Sequence, residues 1–161
     1  MNSKAALQGI IAGLAGVAAM TLAEKLEQVF TKRPNSYMPA HTLEKLTGLQ
    51  AKGDNDFLNW TMHWGQGILL GAVRGLMAEK GIRGPMASFL FMNLRLLNDQ
   101  TLENATGVGS LPWTWPKDEQ AIDLIHKGIY AFVTGAVVDA LTKESKASPD
   151  VRKGWTLGEK A

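Results

Sequence analysis

Three long segments of this chain carry their polar side chains at helical spacing, in narrow stripes that are flanked by wide apolar arcs. The segments run from about 57 to 79, from 85 to 104 and from 116 to 143. Residues three or four positions apart lie on one face of an α-helix, so each stripe marks one face. A helix on the surface of a soluble protein has the opposite proportion, an apolar stripe on a polar background. The pattern therefore predicts an all-α fold in which each of these helices is apolar around most of its circumference and polar on one narrow face.

These polar stripes hold most of the side chains that are able to do chemistry. In chain order, their members are Asn59, His63, Gln66 and Arg74, then Ser88, Arg95, Asp99 and Glu103, then Asp123, His126, Lys127, Tyr130 and Thr134. Buried ionisable groups are costly, so stripes that face inward are expected to pair or to have a function. The alternative, in which each stripe is the solvated face of a soluble bundle, stays open.

The first long helix is predicted over residues 4–30 and is the most apolar part of the chain. Its nineteen residues from Ala5 to Ala23 include only two polar side chains. That length suffices to cross a bilayer, which needs about twenty residues. The same run also fits a cleaved secretory signal, with a cleavage site at 17–19. The amphipathic continuation over 24–30 favours a retained helix.

The remaining elements complete a four-helix bundle, which we expect to be embedded in or associated with a membrane. A short extra helix is predicted over 42–49, a turn that provides an N-cap over 53–56, and a loop rich in glycine, proline and tryptophan over 105–116. The bundle forms one domain over 1–143, followed by a polar, mobile tail over 144–161. A mean hydropathy of −0.06 is low for a protein with several membrane spans.

Composition excludes several classes of function. The 161 residues include no cysteine, which rules out disulfides, thiol catalysis and thiolate metal sites. The net charge is only +2 and the basic residues are scattered, so no nucleic-acid partner is predicted. Eight basic residues lie at the end of the bundle that holds both termini and six at the other end, which favours cytoplasmic termini.

The densest group of reactive side chains lies near the end of the third long helix. Asp99 and Glu103 are one turn apart and are candidates for a general acid and base, with Arg95 holding one of them ionised. The alternative is an Arg95–Asp99 ion pair at a solvated helix end.

A second catalytic candidate lies on the fourth long helix, where Asp123, His126 and Tyr130 share one face. Asp123 would orient His126, and either His126 or Tyr130 would donate a proton. The alternative is an Asp123–Lys127 helix pair beside a structural histidine. The Asp-x-x-His spacing also occurs in di-metal bundles, but those use two such motifs, so neither a metal nor another cofactor is predicted.

Five further residues are candidates for binding a substrate. His63, Arg95 and Asn59 belong to the stripes, and Trp113 and Trp115 lie in a proline-rich loop that is too apolar to be free. The tryptophans are expected either to cover the mouth of a cavity or to lie at a membrane interface. Packing across helix ends explains them equally well.

Small residues at every fourth position predict one close helix contact. Gly67, Gly71 and Gly75 form this ridge, across which a homo-oligomer is one expected assembly.

Four segments of the chain resemble a family of small bacterial and fungal proteins that are usually labelled hypothetical membrane proteins. They are Arg33 to Tyr37, Pro39 to Leu43, Asn98 to Gly109 and Pro112 to Pro116. The resemblance covers most of residues 8–142. It implies a membrane location, and it supplies no catalytic residue because no activity is established for the family.

Taken together, the sequence predicts a small multi-pass membrane protein with a polar pocket between its second, third and fourth long helices. As an enzyme it would be a cofactor-independent isomerase or cyclase that acts on a lipophilic small molecule. Two alternatives stay open, a non-enzymatic membrane carrier or oligomeric structural protein, and a soluble helical ligand-binding module.

Overall fold

The computed structural model describes residues 3–49 and 55–143, and every regular element in these ranges is helical. The elements are α1 (Ser3–Thr31), α2 (Met38–Thr47), α3 (Asp56–Glu79), α4 (Gly84–Ala105), a 3-10 turn (Pro112–Thr114) and α5 (Lys117–Lys143). The all-α prediction is confirmed, and each long helix begins and ends within one residue of its predicted bounds. The predicted tail over 144–161 and the first two residues of the predicted turn over 53–56 lie outside the described residues.

Local sequence signals set where the helices begin and end. Asn55 caps α3, because its side chain accepts a hydrogen bond of 3.0 Å from the backbone N–H of Leu58. The short helix α2 begins at Met38, four residues earlier than predicted, and Pro39 occupies its first turn, where proline is well tolerated. It ends at Thr47 and is followed by Gly48, whose φ of 73° lies in the left-handed region that favours glycine.

The long helices are arranged in the order α3, α1, α5 and α4. The helix α1 packs along α3 on one side and along α5 on the other, and α4 packs mainly on α5. The helices α3 and α4 follow each other in the chain but touch very little. The expected closed four-helix bundle is therefore not confirmed, and the gap between α3 and α4 is where polar side chains of the two helices meet.

Close packing between α1 and α3 depends on glycines in both helices. The ridge of Gly67, Gly71 and Gly75 lies against Gly9 and Gly13 of the same chain. A Cβ atom on Gly71 would lie 2.6 Å from the Cα of Gly13, which is too close for two backbones to tolerate. The ridge is thus covered by α1 and presents no free surface to a second copy.

Burial in this protein is partly inverted relative to a water-soluble bundle. The interior includes Arg74, Arg95, Asp99 and Lys127, all less than a tenth exposed. Large apolar side chains are exposed along all four long helices, and among them are Leu7, Ile11, Leu22, Leu26, Leu69, Phe89, Leu90, Leu97, Ile125 and Phe132. Exposed apolar surface of this extent marks a face that is covered by lipid or by protein.

Arg74 belongs to a separate polar group at the opposite end of α3 from Asn59 and His63. Its guanidinium donates to both carboxylate oxygens of Asp139 on α5, at 3.0 and 3.1 Å, and to the carbonyl of Ile82 at 3.3 Å. The backbone N–H of Gly84 donates to the same carboxylate at 2.7 Å. This network fastens the turn between α3 and α4 to α5.

Candidate functional site

A cavity of about 340 Å³ lies at the end of the molecule where α1 and α4 finish and α3 and α5 begin. The helix α2 and the end of the loop before α5 complete its wall. Most of the side chains proposed from the sequence as site residues line it, namely Asn59, His63, Arg95, Asp99, Glu103, Trp115, Asp123 and His126. The structure thus brings together residues from three of the polar stripes.

Asp99 is the centre of a hydrogen-bonded network on the cavity wall. Its carboxylate accepts hydrogen bonds from Gln66 at 2.6 Å, from Asn98 at 3.2 Å and from Arg95 Nε at 2.9 Å. The Nζ atom of Lys127 lies 3.4 Å from Asp99 Oδ2 and also donates to Asp123. Both oxygens of Asp99 therefore accept hydrogen bonds from neighbouring side chains of the protein.

Arg95 and Tyr130 pack against each other beneath the hydrogen-bonded network of Asp99. The guanidinium lies over the Tyr130 ring, with its central carbon 5.0 Å from the ring centre. The Tyr130 hydroxyl donates to the carbonyl of Gly67 at 2.6 Å. Tyr130 is fully buried and does not line the cavity, so the structure does not bring it together with the other candidate proton donors.

Glu103 differs from Asp99 although it lies only one turn away on the same helix. Among the residues that the structure describes, none donates a hydrogen bond to its carboxylate. The chain turns back over it after α4, where the N–H groups of Val108 and Gly109 both donate to the Glu103 carbonyl at 3.0 Å. Burial raises the pKa of Glu103 to about 7, with the negative charge of Asp99 acting in the same direction and Lys127 opposing it. Glu103 therefore exchanges a proton near neutral pH.

Two histidines face the cavity from opposite sides. His63 on α3 shares a hydrogen bond of 3.0 Å with the hydroxyl of Thr21 on α1, which fixes the orientation of its ring. His126 on α5 makes no hydrogen bond to any side chain in the described part of the molecule, although it lines the cavity. His126 is thus the histidine that is available to a ligand.

The side-chain amide of Asn59 binds the backbone around α2 and so holds this helix over the cavity. Its side chain donates to the carbonyl of Ser36 at 3.1 Å and accepts from the N–H of Ala40 at 3.2 Å. Both partners flank the start of α2, so Asn59 fastens this short helix to α3. Its structural role is clearer than the substrate-binding role that the sequence predicts.

The two tryptophans of the proline-rich loop are placed differently from each other. Trp115 lines the cavity, and its indole N–H donates to the carbonyl of Ser110 at 2.9 Å. Trp113 is 73% exposed and lies outside the cavity. Trp115 thus lies at the cavity, which is one of the two positions expected for the pair, whereas Trp113 lies exposed on the surface.

Sequence reasoning missed the contribution of α1 and of the chain around α2. Met20, Glu24 and Lys25 from α1 line the cavity, as do Arg33 and Thr42. The polar residues that follow position 23 interrupt an otherwise apolar helix, and this interruption was the signal that could have placed the end of α1 at the site.

Among the residues that the structure describes, carboxylic acids outnumber basic side chains on the cavity wall. Six acidic residues line it, namely Glu24, Asp56, Asp99, Glu103, Glu119 and Asp123. Four basic residues line it, namely Lys25, Arg33, Arg95 and Lys127. Within residues 3–49 and 55–143, no three side chains of His, Asp or Glu come together in a way that could hold a metal ion.

Comparisons of the chain with protein-family models, with curated proteins and with solved structures found no match.

Proposed function

We propose that this chain is a membrane-embedded helical protein whose cavity binds an amphiphilic small molecule and catalyses proton transfer on it without a cofactor. An isomerisation or a cyclisation is the reaction class that two acid–base groups in a small cavity support. Glu103 and His126 are the proposed acid–base groups. Asp99, Arg95 and Lys127 form the fixed network beside them.

The membrane part of the proposal is supported by the inverted burial. Two helices, α1 and α5, are long and apolar enough to cross a bilayer, which by itself is weak evidence. The exposed leucine, isoleucine and phenylalanine side chains on the outside of all four long helices add to this evidence for a membrane location. Charged side chains in a membrane protein face the interior and pair with each other, as Arg74 does with Asp139.

We place the apolar layer around residues 5–23 of α1, 125–142 of α5 and the part of α4 up to Leu97. Glu103 lies beyond this layer, at the end of the molecule where the cavity opens. Exposed Trp113 lies at the same end, as expected for an aromatic side chain at a membrane–water interface. The described ends of α1 and α5, Ser3 and Lys143, lie at the other end, and the distribution of basic residues supports a cytoplasmic side for it.

The observation that carries the catalytic part is the contrast between Asp99 and Glu103. Every carboxylate oxygen of Asp99 has a partner, whereas the side chains of Glu103 and His126 line the cavity with no hydrogen-bond partner in the described residues. A general acid or base acts best when its pKa is near the working pH, and burial raises the pKa of Glu103 to about 7.

Proton transfer to carbon leaves an isotopic record, which provides the test. The purified protein is incubated in D₂O with a lipid extract of its source cells, and the extract is searched by mass spectrometry for compounds that gain deuterium. We expect the Glu103→Gln variant to lose this exchange by at least about a hundredfold, the usual contribution of general acid–base catalysis. Asp118→Asn removes an exposed carboxylate at the start of α5 that does not line the cavity, and it serves as the control. Exchange that is equal in wild type and Glu103→Gln would rule out the assignment.

Cell fractionation tests the membrane part separately. We expect the protein to sediment with membranes, to resist extraction by high salt and to be released by detergent. Recovery in the supernatant without detergent would instead support a soluble ligand-binding module.

A further inference from the structure

We infer that the ligand of this cavity is an organic cation, a protonated amine that carries an apolar portion. The inference rests on the proposed function, since it names the substrate class of the same cavity. It is drawn from the balance of charges on the wall, from the aromatic side chains beside them and from an unpaired buried hydroxyl.

Three of the four positive charges on the described wall are engaged in ion pairs, and the fourth, Lys25, donates to the amide oxygens of Gln28 and Asn35 at 3.1 and 2.7 Å. Arg95 binds Asp99, and Lys127 lies between Asp99 and Asp123. Arg33 pairs with Glu27, which does not line the cavity, at 3.1 Å. An anionic ligand would have to break one of these ion pairs or displace Lys25 from its two amide partners.

When Glu103 is ionised, the negative charges of the described residues on the wall exceed the positive ones by two, six against four. Among the described residues, Glu24, Asp56 and Glu103 form no ion pair with a basic side chain within 4.0 Å. Glu24 accepts a hydrogen bond from Gln28 only, and Glu103 accepts none from a side chain. Negative charge that is left without a basic partner in a partly desolvated cavity favours a ligand of the opposite sign.

The rest of the wall fits the other parts of such a molecule. The rings of Trp60 and Trp115 line the cavity, and tryptophan is the best aromatic partner for a cation. Thr42 is 2% exposed and lines the cavity, yet its hydroxyl has no hydrogen-bond partner in the described residues. An unpaired buried hydroxyl is costly, and an N–H group of a bound amine would satisfy it. Met20 and Met62 offer adaptable apolar surface for a tail.

Three probes that differ in their polar head group, which is cationic, neutral or anionic, test this inference on the full chain in a nonionic detergent near neutral pH. They are 4-phenylbutylamine, 4-phenylbutanol and 4-phenylbutanoate, titrated by calorimetry with empty micelles as the blank. We expect the amine to bind roughly tenfold more tightly than the alcohol, and the carboxylate to bind most weakly. A carboxylate that binds as tightly as the amine would overturn the inference while leaving a ligand cavity in place. If none of the probes binds, the proposed function fails together with the inference.

Matched variants locate the bound amine. Glu24→Gln and Glu103→Gln keep the side-chain shape and should each weaken amine binding about fivefold, with the alcohol unaffected. Asp118→Asn removes a carboxylate that does not line the cavity and should change neither. Circular dichroism verifies that each variant is folded. Amine binding that is unchanged in both glutamate variants would place the probe outside the cavity and overturn the inference.

Discussion

Removing the negative charge of Asp99 tests whether the network on the cavity wall stabilises the fold. The Asp99→Asn variant keeps the size of the side chain but turns one of its two acceptor oxygens into an N–H donor. Arg95 is the partner most affected, because its side chain is 4% exposed and Asp99 is its ion-pair partner in the described residues. Lys127 retains a partner, since it also donates to Asp123.

The size of the effect follows from this difference between the two cations. Removing one member of a buried ion pair costs about 3–5 kcal/mol, because the other charge stays buried without compensation. Since only Arg95 loses its partner completely, we expect the lower end of that range, about 3 kcal/mol. For a chain of this size, that corresponds to a fall in Tm of roughly 6–12 °C.

Thermal unfolding followed by circular dichroism measures this fall in Tm. The control is Asp123→Asn, which removes a carboxylate from the same network but leaves both cations with Asp99. Its side chain is 26% exposed, so we expect a cost below about 1 kcal/mol. The double variant Asp99→Asn/Arg95→Met removes both charges and should recover much of the loss. Equal Tm values for Asp99→Asn and Asp123→Asn would refute the view that Asp99 is the centre of the network.

Three further predictions follow from other contacts. Gly71→Ala should destabilise the fold by about 1–3 kcal/mol in denaturant unfolding, because its Cβ would meet the backbone of α1. The control Gly65→Ala has open space around its Cβ and should be neutral or stabilising by up to about 1 kcal/mol. Equal effects of the two substitutions would contradict the close contact between α1 and α3. Burial raises the pKa of Glu103 to about 7 from 4.5, so the folded state holds the proton more tightly and stability should fall as the pH rises from about 4.5 to 7. Glu103→Gln should flatten this part of the curve of Tm against pH, and an unchanged slope would argue against the raised pKa. Asn59→Ala should speed hydrogen exchange of α2 amides while changing Tm little; exchange at the wild-type rate would mean that other contacts hold α2.

Periodicity was sufficient to predict the helices of this protein. The stripe that contains Arg95, Asp99 and Glu103 and the stripe that contains Asp123 and His126 each occupy one helix face, and side-chain spacing alone determines this. The same reasoning placed Asp99 and His126 in one site, because costly ionisable groups on several helices are best satisfied by each other.

Spacing could not tell apart residues that share a stripe. Arg74 has the helical phase of His63, but it lies about three turns further along α3 and binds Asp139 at the other end of the molecule. Tyr130 has the phase of His126, yet it lies one turn deeper and donates to a backbone carbonyl. Phase gives the direction of a side chain around the helix axis, whereas the depth at which it meets a partner depends on how neighbouring helices are offset.

The sequence by itself determined the helical class, the bounds of the long helices and the faces that hold the ionisable groups, because these depend on residues close together in the chain. Only the tertiary structure decided that α1 covers the glycine ridge and that α2 closes the cavity. It also decided that Asp99 is occupied while Glu103 is not. These outcomes depend on contacts between residues such as Gln66 and Asp99, which are 33 positions apart and meet only when the helices are packed.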